Sequence, residues 1–294
     1  MAVRNPNGAD YGRQFAVDTG RGMLNIMDPE TNALFLYKNN GRDVSFVDLP
    51  MNNTTIFTNP WTISADGTAT TFAQNATIAG GAIRGSTGAT EEGAVSLFGA
   101  PVFQPQLNAG MEVSLKVDVI TALRLEVGFV NVVTDKTLPV CTDVDGTPTF
   151  AANSTEVAIM SWQTDDTITT PRFVGDSATY TTAKGVTLMT PFGYPAAQQA
   201  AWTPTAGEWF TVRVQCYGKS ASESTSVDSV SCAIFDDNNN IVSFAMFDSI
   251  AGGGTGGLTG TAMLAPWVFV ATIDTTPKLL DVRYARYWAD RYIN

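Results

Sequence analysis

Apolar and polar residues trade places through much of this chain. Met111, Val113, Leu115, Val117 and Val119 are separated by Glu112, Ser114, Lys116 and Asp118. That period of two predicts an extended strand with one dry face and one wet face. Phe210, Val212, Val214 and Cys216 alternate in the same way with Thr211, Arg213 and Gln215, and Val230, Cys232 and Ile234 with Ser229, Ser231 and Ala233. Leu123, Leu125, Val127 and Phe129 carry the signature again. Further strands are predicted at 61–66, 68–72, 94–98, 156–162, 173–174, 178–182, 208–217, 229–236, 241–247, 262–272 and 279–288.

Turn residues punctuate these runs. Asp66-Gly67 reads as a tight turn between two strands, and 237–240 as a hairpin turn. One short helix is expected over 195–202, where Pro195 precedes an Ala/Gln run. The polar 220–229 and the glycine-rich 251–260 read as loops. About a dozen short strands with clean alternation predict an all-β fold, two antiparallel sheets face to face. Their long loops favour a jelly roll over a seven-stranded immunoglobulin type.

Residues 1–55 differ from the rest. They are rich in Asn, Asp, Gly and Arg, with short apolar patches at 34–37 and 44–47 and no amphipathic repeat of their own. They are read as an extended arm that packs on a neighbour, the alternative being strands joined to the main sandwich. Arg4, Tyr11, Arg13 and Phe15 are its candidate partner-binding residues. Residues 56–294 form the sandwich domain.

Composition narrows the chemistry. Of 294 residues 44% are apolar, ample for a core, while only 15% are charged, below the ~25% of ordinary domains. A net charge of −11 argues against nucleic acid as a partner. There is no histidine, which removes the commonest general base and zinc ligand and makes Ser-His and Cys-His nucleophiles impossible. Neither a secretory signal nor a run long enough to span a membrane is expected, and synthesis in a cytoplasm is. Cys141, Cys216 and Cys232 have no metal-ligand spacing. Cys216 and Cys232 fall on one face of a hairpin; buried free thiols are expected there, with a cross-strand disulfide as the alternative.

Other candidate sites are weaker. Asp143-Val-Asp145-Gly146 opens like a calcium loop but lacks the later ligands, and reads as a turn. Residues 236–240 offer oxygen ligands, which a hairpin turn explains equally. Asp165, Asp166, Glu91 and Glu92 are the carboxylates a glycosidase would draw on, yet no Glu-x-Asp-x-x-Glu run exists. Trp202 and Tyr194, near loops, are candidates for an exposed aromatic platform, whereas Trp209, Trp267 and Trp288 are expected to be buried. The glycine clusters lack the context of a phosphate loop. Arg283, Arg286 and Arg291, interleaved with Asp281 and Asp290, read as a paired, solvated edge strand.

A longer pattern runs through the chain. Gly80-Gly-Ala-Ile-Arg-Gly-Ser-Thr-Gly-Ala-Thr90 is followed by Ala94-Val-Ser-Leu-Phe98, Pro101-Val-Phe103-Gln-Pro105 and Met111-Glu-Val-Ser-Leu-Lys-Val117. Then come Leu125-Glu-Val-Gly-Phe129, Trp209-Phe-Thr-Val-Arg213 and Leu280-Asp-Val-Arg-Tyr284-Ala-Arg-Tyr-Trp288. Over residues 60–290 this order resembles the concanavalin A-like jelly-roll domains of tailed-bacteriophage virion proteins. The resemblance implies a non-enzymatic structural subunit at the virion surface: a capsid decoration, cement or head-fibre protein. It would bind the major capsid protein and form a homo-oligomer, a trimer in the simplest case. The lectin branch of the same fold implies the alternative, a carbohydrate-binding module for a host-surface glycan, and the glucanase branch a divergent glycosidase. No catalytic residue, metal ligand or cofactor is carried over.

Overall fold

The computed structural model describes residues 15–18, 23–27, 34–38, 44–50, 61–78, 81–143, 148–150, 154–177, 184–188, 201–218, 227–248 and 258–290. Its first strands are β1 (Phe15–Asp18), β2 (Met23–Met27), β3 (Leu34–Lys38), β4 (Val44–Pro50), β5 (Trp61–Ala65), β6 (Thr70–Gln74) and β7 (Ile83–Ser86). The middle of the chain gives β8 (Ala94–Gly99), β9 (Gly110–Val117), β10 (Leu123–Val130), β11 (Cys141–Asp143), β12 (Thr149–Phe150), β13 (Glu156–Gln163) and β14 (Arg172–Ser177). The last are β15 (Lys184–Thr187), β16 (Phe210–Gly218), β17 (Val227–Asp236), β18 (Ile241–Asp248), β19 (Ala265–Thr272) and β20 (Leu279–Asp290). A single 3-10 turn, Pro105–Leu107, is the only helical element among the described residues, and none is long and apolar enough to cross a membrane.

Two large antiparallel sheets carry the fold, a jelly-roll sandwich of the concanavalin A-like type. One has seven strands in the order β15-β14-β13-β10-β19-β8-β5; the other has eight, β18-β17-β16-β9-β20-β7-β6 with β4 alongside β20. Strands β1, β2 and β3 pair with one another in a sheet of their own. The dry residues of the alternating strands are the ones that meet between the large sheets. Val113, Leu115 and Val117 of β9 and Val212, Val214 and Cys216 of β16 share one cluster with Leu125, Val127 and Phe129 of β10.

The seven-stranded sheet departs from simple alternation. Every residue of β13 and β19 is buried. Its outer face holds a second apolar cluster, in which Val157, Ile159, Val174, Trp267 and Phe269 lie with Val133, Val140 and Cys141. The Trp267 and Phe269 rings stack at 5.6 Å. Unbroken apolar sequence such as Pro-Trp-Val-Phe-Val in β19 is what a strand with no wet face requires.

Three expectations are corrected. Asp66-Gly67 is a tight turn, with Gly67 at φ +64 and Ala69 N–H donating to the Asp66 carbonyl at 3.0 Å. It does not close a hairpin, however: β5 pairs with β8 in one sheet and β6 with β7 in the other. A local turn reverses the chain without choosing its partner. Secondly, the strand carrying Asp281, Arg283 and Arg286 is no edge. β20 has β9 on one side and β7 and β4 on the other, and Asp281 is buried. Its register shifts between Val282 and Tyr284, leaving Arg283 as an extra residue. That bulge flips the alternation, so Leu280 and Val282 face inward before it and Ala285, Tyr287 and Ala289 after it. Thirdly, Trp209 and Trp288 are half-buried rather than buried; Trp267 alone of the three is fully enclosed.

The β16–β17 hairpin forms as expected, with Val214 opposite Cys232 and Cys216 opposite Val230. The two cysteines are therefore diagonal neighbours, and both are buried thiols, as is Cys141. Burial pushes the Cys216 and Cys232 thiols far up from the ordinary thiol range. Most of the helix expected at 195–202, the strand expected at 178–182, and Tyr194 lie outside the described residues.

Candidate binding cleft

At one end of the seven-stranded sheet, an open cleft of about 470 Å³ lies between the end of β10, the start of β13 and the segment before β19. Asn131 follows β10 directly and continues its ladder, its N–H donating to the Glu156 carbonyl at 3.0 Å. Its side chain organises the facing corner: Oδ1 accepts from Thr155 N at 3.1 Å and Glu156 N at 3.2 Å, while Nδ2 donates to Thr155 Oγ1 at 2.8 Å. Glu156, itself buried, accepts from Thr259 N at 2.8 Å through Oε2 and so fastens the far wall. That wall is a turn, Ala262 N–H to the Thr259 carbonyl, anchored on the 3-10 turn by Gln106 N–H to the Gly260 carbonyl at 3.1 Å.

The lining mixes two kinds of surface. Asn131, Thr155, Glu156, Thr259 and Thr261 supply amide, hydroxyl and carboxylate groups. Val132 and Met263, 50% and 44% exposed, supply apolar contact beside them. No strongly basic group and no thiol lines the cleft. It can hold a ligand with hydroxyls and an apolar face; it has no activated nucleophile to react with one.

The outer face of the eight-stranded sheet is the other concentration of polar groups. Glu112, buried on β9, accepts from Tyr284 Oη at 2.9 Å and pairs with Arg213 on β16 and Arg286 on β20. Burial, then the Glu112 charge, pushes Tyr284 up to about 12. Asp281 takes both nitrogens of Arg84, with Lys116 at 3.3 Å and Asn75 at 3.1 Å. Burial would raise the Asp281 carboxyl, but these partners bring it below the usual carboxylate range. Arg283 lies 4.1 Å over the Trp209 ring and pairs with Asp237. Each charge here has a partner, so the face is a stitched surface.

The residues singled out in the sequence fall as follows. Arg4, Tyr11 and Arg13 lie outside the described residues, and Phe15 opens β1. Glu92 and Asp165 come together, but on the same cation: Arg124 binds Glu92 through Nη1 at 2.7 Å and Asp165 through Nη2 at 2.8 Å. They form a clip between two loops. Asp236 is spent on its own turn, accepting from Asn240 Nδ2 at 3.0 Å and from Asn240 N and Asn238 N, and these bonds hold it below the usual carboxylate range. Among the described residues no cluster of metal-binding side chains occurs. Trp202 packs against the core and meets Phe210 edge-on at 5.4 Å, so it makes no exposed platform. The cleft itself was missed. Its parts come from three distant segments, and the one available signal was the Asn-Val pair closing a strong strand.

No protein-family model matches the chain, and no curated protein sequence does. Among solved structures the chain is similar to peanut lectin, at 12% identity and a TM-score of 0.50, over 86% of this chain and 99% of that one. It is also similar to the CBM2 module of the evolved Dit of Lactobacillus casei BL23 phage J-1, at 10% identity and a TM-score of 0.49, over 86% and 99%. A protein of unknown function from Shewanella oneidensis MR-1 aligns at 10% identity and 0.47, over 86% and 90%. At such identities the likeness to peanut lectin shows the fold alone, a jelly-roll β-sandwich.

Proposed function

We propose that the protein is a saccharide-binding sandwich without hydrolytic activity. The cleft lining carries this reading. A pyranose ring offers hydroxyls at its rim and C–H groups on its faces, which complement the Asn131, Thr155, Thr259 and Thr261 groups and the Met263–Val132 surface. Glu156 is the one carboxylate in the lining, whereas glycoside hydrolysis uses two across the scissile bond. The lectin name of a neighbour with the same fold agrees with this. The test is a glycan array with and without millimolar calcium, repeated with Met263→Asp. Binding to a neutral glycan that the substitution abolishes is expected. An array without a hit, or a hit indifferent to Met263→Asp, overturns the reading.

A second reading is a virion-surface subunit, a decoration, cement or head-fibre protein that docks on a major capsid protein through its N-terminal segment. One observation favours it: β1, β2 and β3 are hydrogen-bonded to one another, and β3 lies beside the sandwich only at β4 among the strands it adjoins closely. Arg4, Tyr11, Arg13 and Phe15 would make the contact, and a host-surface glycan would then be the cleft's ligand. Removing residues 1–40 spares β4 and should abolish particle binding while the sandwich still folds. Retained binding removes the arm from the account.

A further inference from the structure

A single β-bridge sets two exposed apolar side chains beside the mouth of the cleft. Phe103 N–H donates to the Leu264 carbonyl at 3.1 Å, and Leu264 N–H to the Phe103 carbonyl at 2.7 Å, so the segments on either side run antiparallel. Phe103 and Leu264 are buried in the core between the large sheets. Side chains alternate along extended backbone, which turns Val102 and Met263 the other way, toward solvent. Gln104 Nε2 donates to Met263 Sδ at 3.5 Å and holds that side chain on the outer side. Val132 lies just past the end of β10 and completes the group.

Val102 is 58% exposed, Val132 50% and Met263 44%. They are three of the seven large apolar side chains that stand exposed among the described residues. Such residues scattered singly call for no explanation, but a gathering of them at a cleft marks a contact surface. Pro101, also exposed, joins Val102 to the cleft lining.

The cleft is therefore divided. Its recessed groups are polar, with Glu156 buried and Asn131 and Thr259 half-buried. Its open side is apolar at Pro101, Val132 and Met263, with the Thr155 and Thr261 hydroxyls at the margin. Given the saccharide reading, on which this rests, we infer that the ligand is a glycoside with an apolar aglycone. The hydroxylated ring occupies the recessed polar end, and the aglycone runs out over Val132, Met263 and Val102.

Continuity selects this occupant, because Pro101, Val132 and Met263 belong both to the cleft lining and to the apolar surface. A ligand that spans the two regions must be polar at its inner end and apolar at its outer one. A free sugar would leave the three exposed side chains wet. A wholly apolar ligand would strip water from the Thr155 hydroxyl and the Glu156 carboxylate without replacing it, which is costly. An acidic substituent has no counterion here, since Glu156 is the one charged residue in the lining.

Calorimetric titration of the full chain tests this with methyl and hexyl glycosides of β-D-glucose, β-D-galactose and α-D-mannose, and with 1-hexanol as the chain without a sugar. For at least one sugar the hexyl glycoside should bind roughly tenfold tighter than the methyl glycoside, the effect of about two methylenes removed from water. Hexanol should bind far more weakly than either. Val102→Asp, at a position too exposed to threaten the fold, should bring the hexyl-to-methyl ratio close to one. Equal affinity of the two glycosides, or a ratio that Val102→Asp leaves intact, overturns the inference and leaves the saccharide reading standing. Hexanol binding as tightly as the hexyl glycoside overturns it too, since the ring then contributes nothing. Binding by none of the six glycosides also overturns it, while the glycan array decides the saccharide reading on its own.

Discussion

Arg84 grips Asp281 from the neighbouring strand with both ends of its fork, Nε to Oδ1 and Nη2 to Oδ2, each at 2.7 Å. The carboxylate is 1% exposed and sits where β9, β20 and β7 run side by side. Replacing Arg84 with Met leaves that charge with Lys116 and Asn75. The expected loss is about 2 kcal/mol, less than for a buried ion left with no partner because Lys116 and Asn75 remain, read from urea unfolding at pH 7. Because the Asp281 carboxyl is held below its ordinary value, its contribution is present above that value and is lost as pH falls through the folded one. The Arg84→Met penalty should therefore shrink in acid.

Glu126, buried on β10, behaves in the opposite sense. Burial raises its folded value to about 7, above the ordinary 4.5, so the favourable term is complete below the lower figure and gone above the upper. Between pH 5 and 8 the unaltered protein should lose about 3 kcal/mol relative to Glu126→Gln. Parallel urea titrations of the two proteins check it; equal slopes would refute the assignment.

Gly128 marks a close backbone approach between β10 and β13. A Cβ placed there would lie 2.3 Å from the Ala158 carbonyl oxygen and 2.6 Å from Ile159 Cα. Gly128→Ala must push β10 from β13 and should cost at least ~2 kcal/mol, measured as a fall in thermal midpoint. An unchanged midpoint would mean that the two strands can part cheaply.

The Arg124 clip should contribute little. Its side chain is 21% exposed and its acids 51% and 34%. Double-mutant cycles with Glu92→Gln and Asp165→Asn should each give a coupling under about 1 kcal/mol. Neither substitution should alter turnover of any polysaccharide, which a reducing-sugar assay would reveal.

How much of this was legible follows from what each pattern encodes. Alternation in β9, β10, β16 and β17 fixes which side chains face inward, because each strand's dry residues need a partner layer. It is silent on Arg283, since one bulge residue shifts the parity of β20 without altering the composition of either half. The cover on the outer face of the seven-stranded sheet escaped notice for a different reason. Val133, Val140 and Cys141 are irregularly spaced, and their partners on β13 and β19 are far away in sequence. The Ala265–Thr272 run did carry a signal, an apolar strand with nowhere polar to face. The binding cleft was the least readable, because its walls are ordinary Thr and Asn residues brought together by strand ends.

β20 is twelve residues long and is the partner of β9, β7 and β4 at once. Those three emerge from the ribosome far earlier, β7 nearly two hundred positions before the residues it pairs with. Until translation reaches 279–290, the edges that these strands turn toward β20 have no mate, although β9 already has β16 and β7 has β6 on the other side. Assembly of this half of the sandwich therefore waits on β20 and on contacts of long sequence separation, which makes it slow.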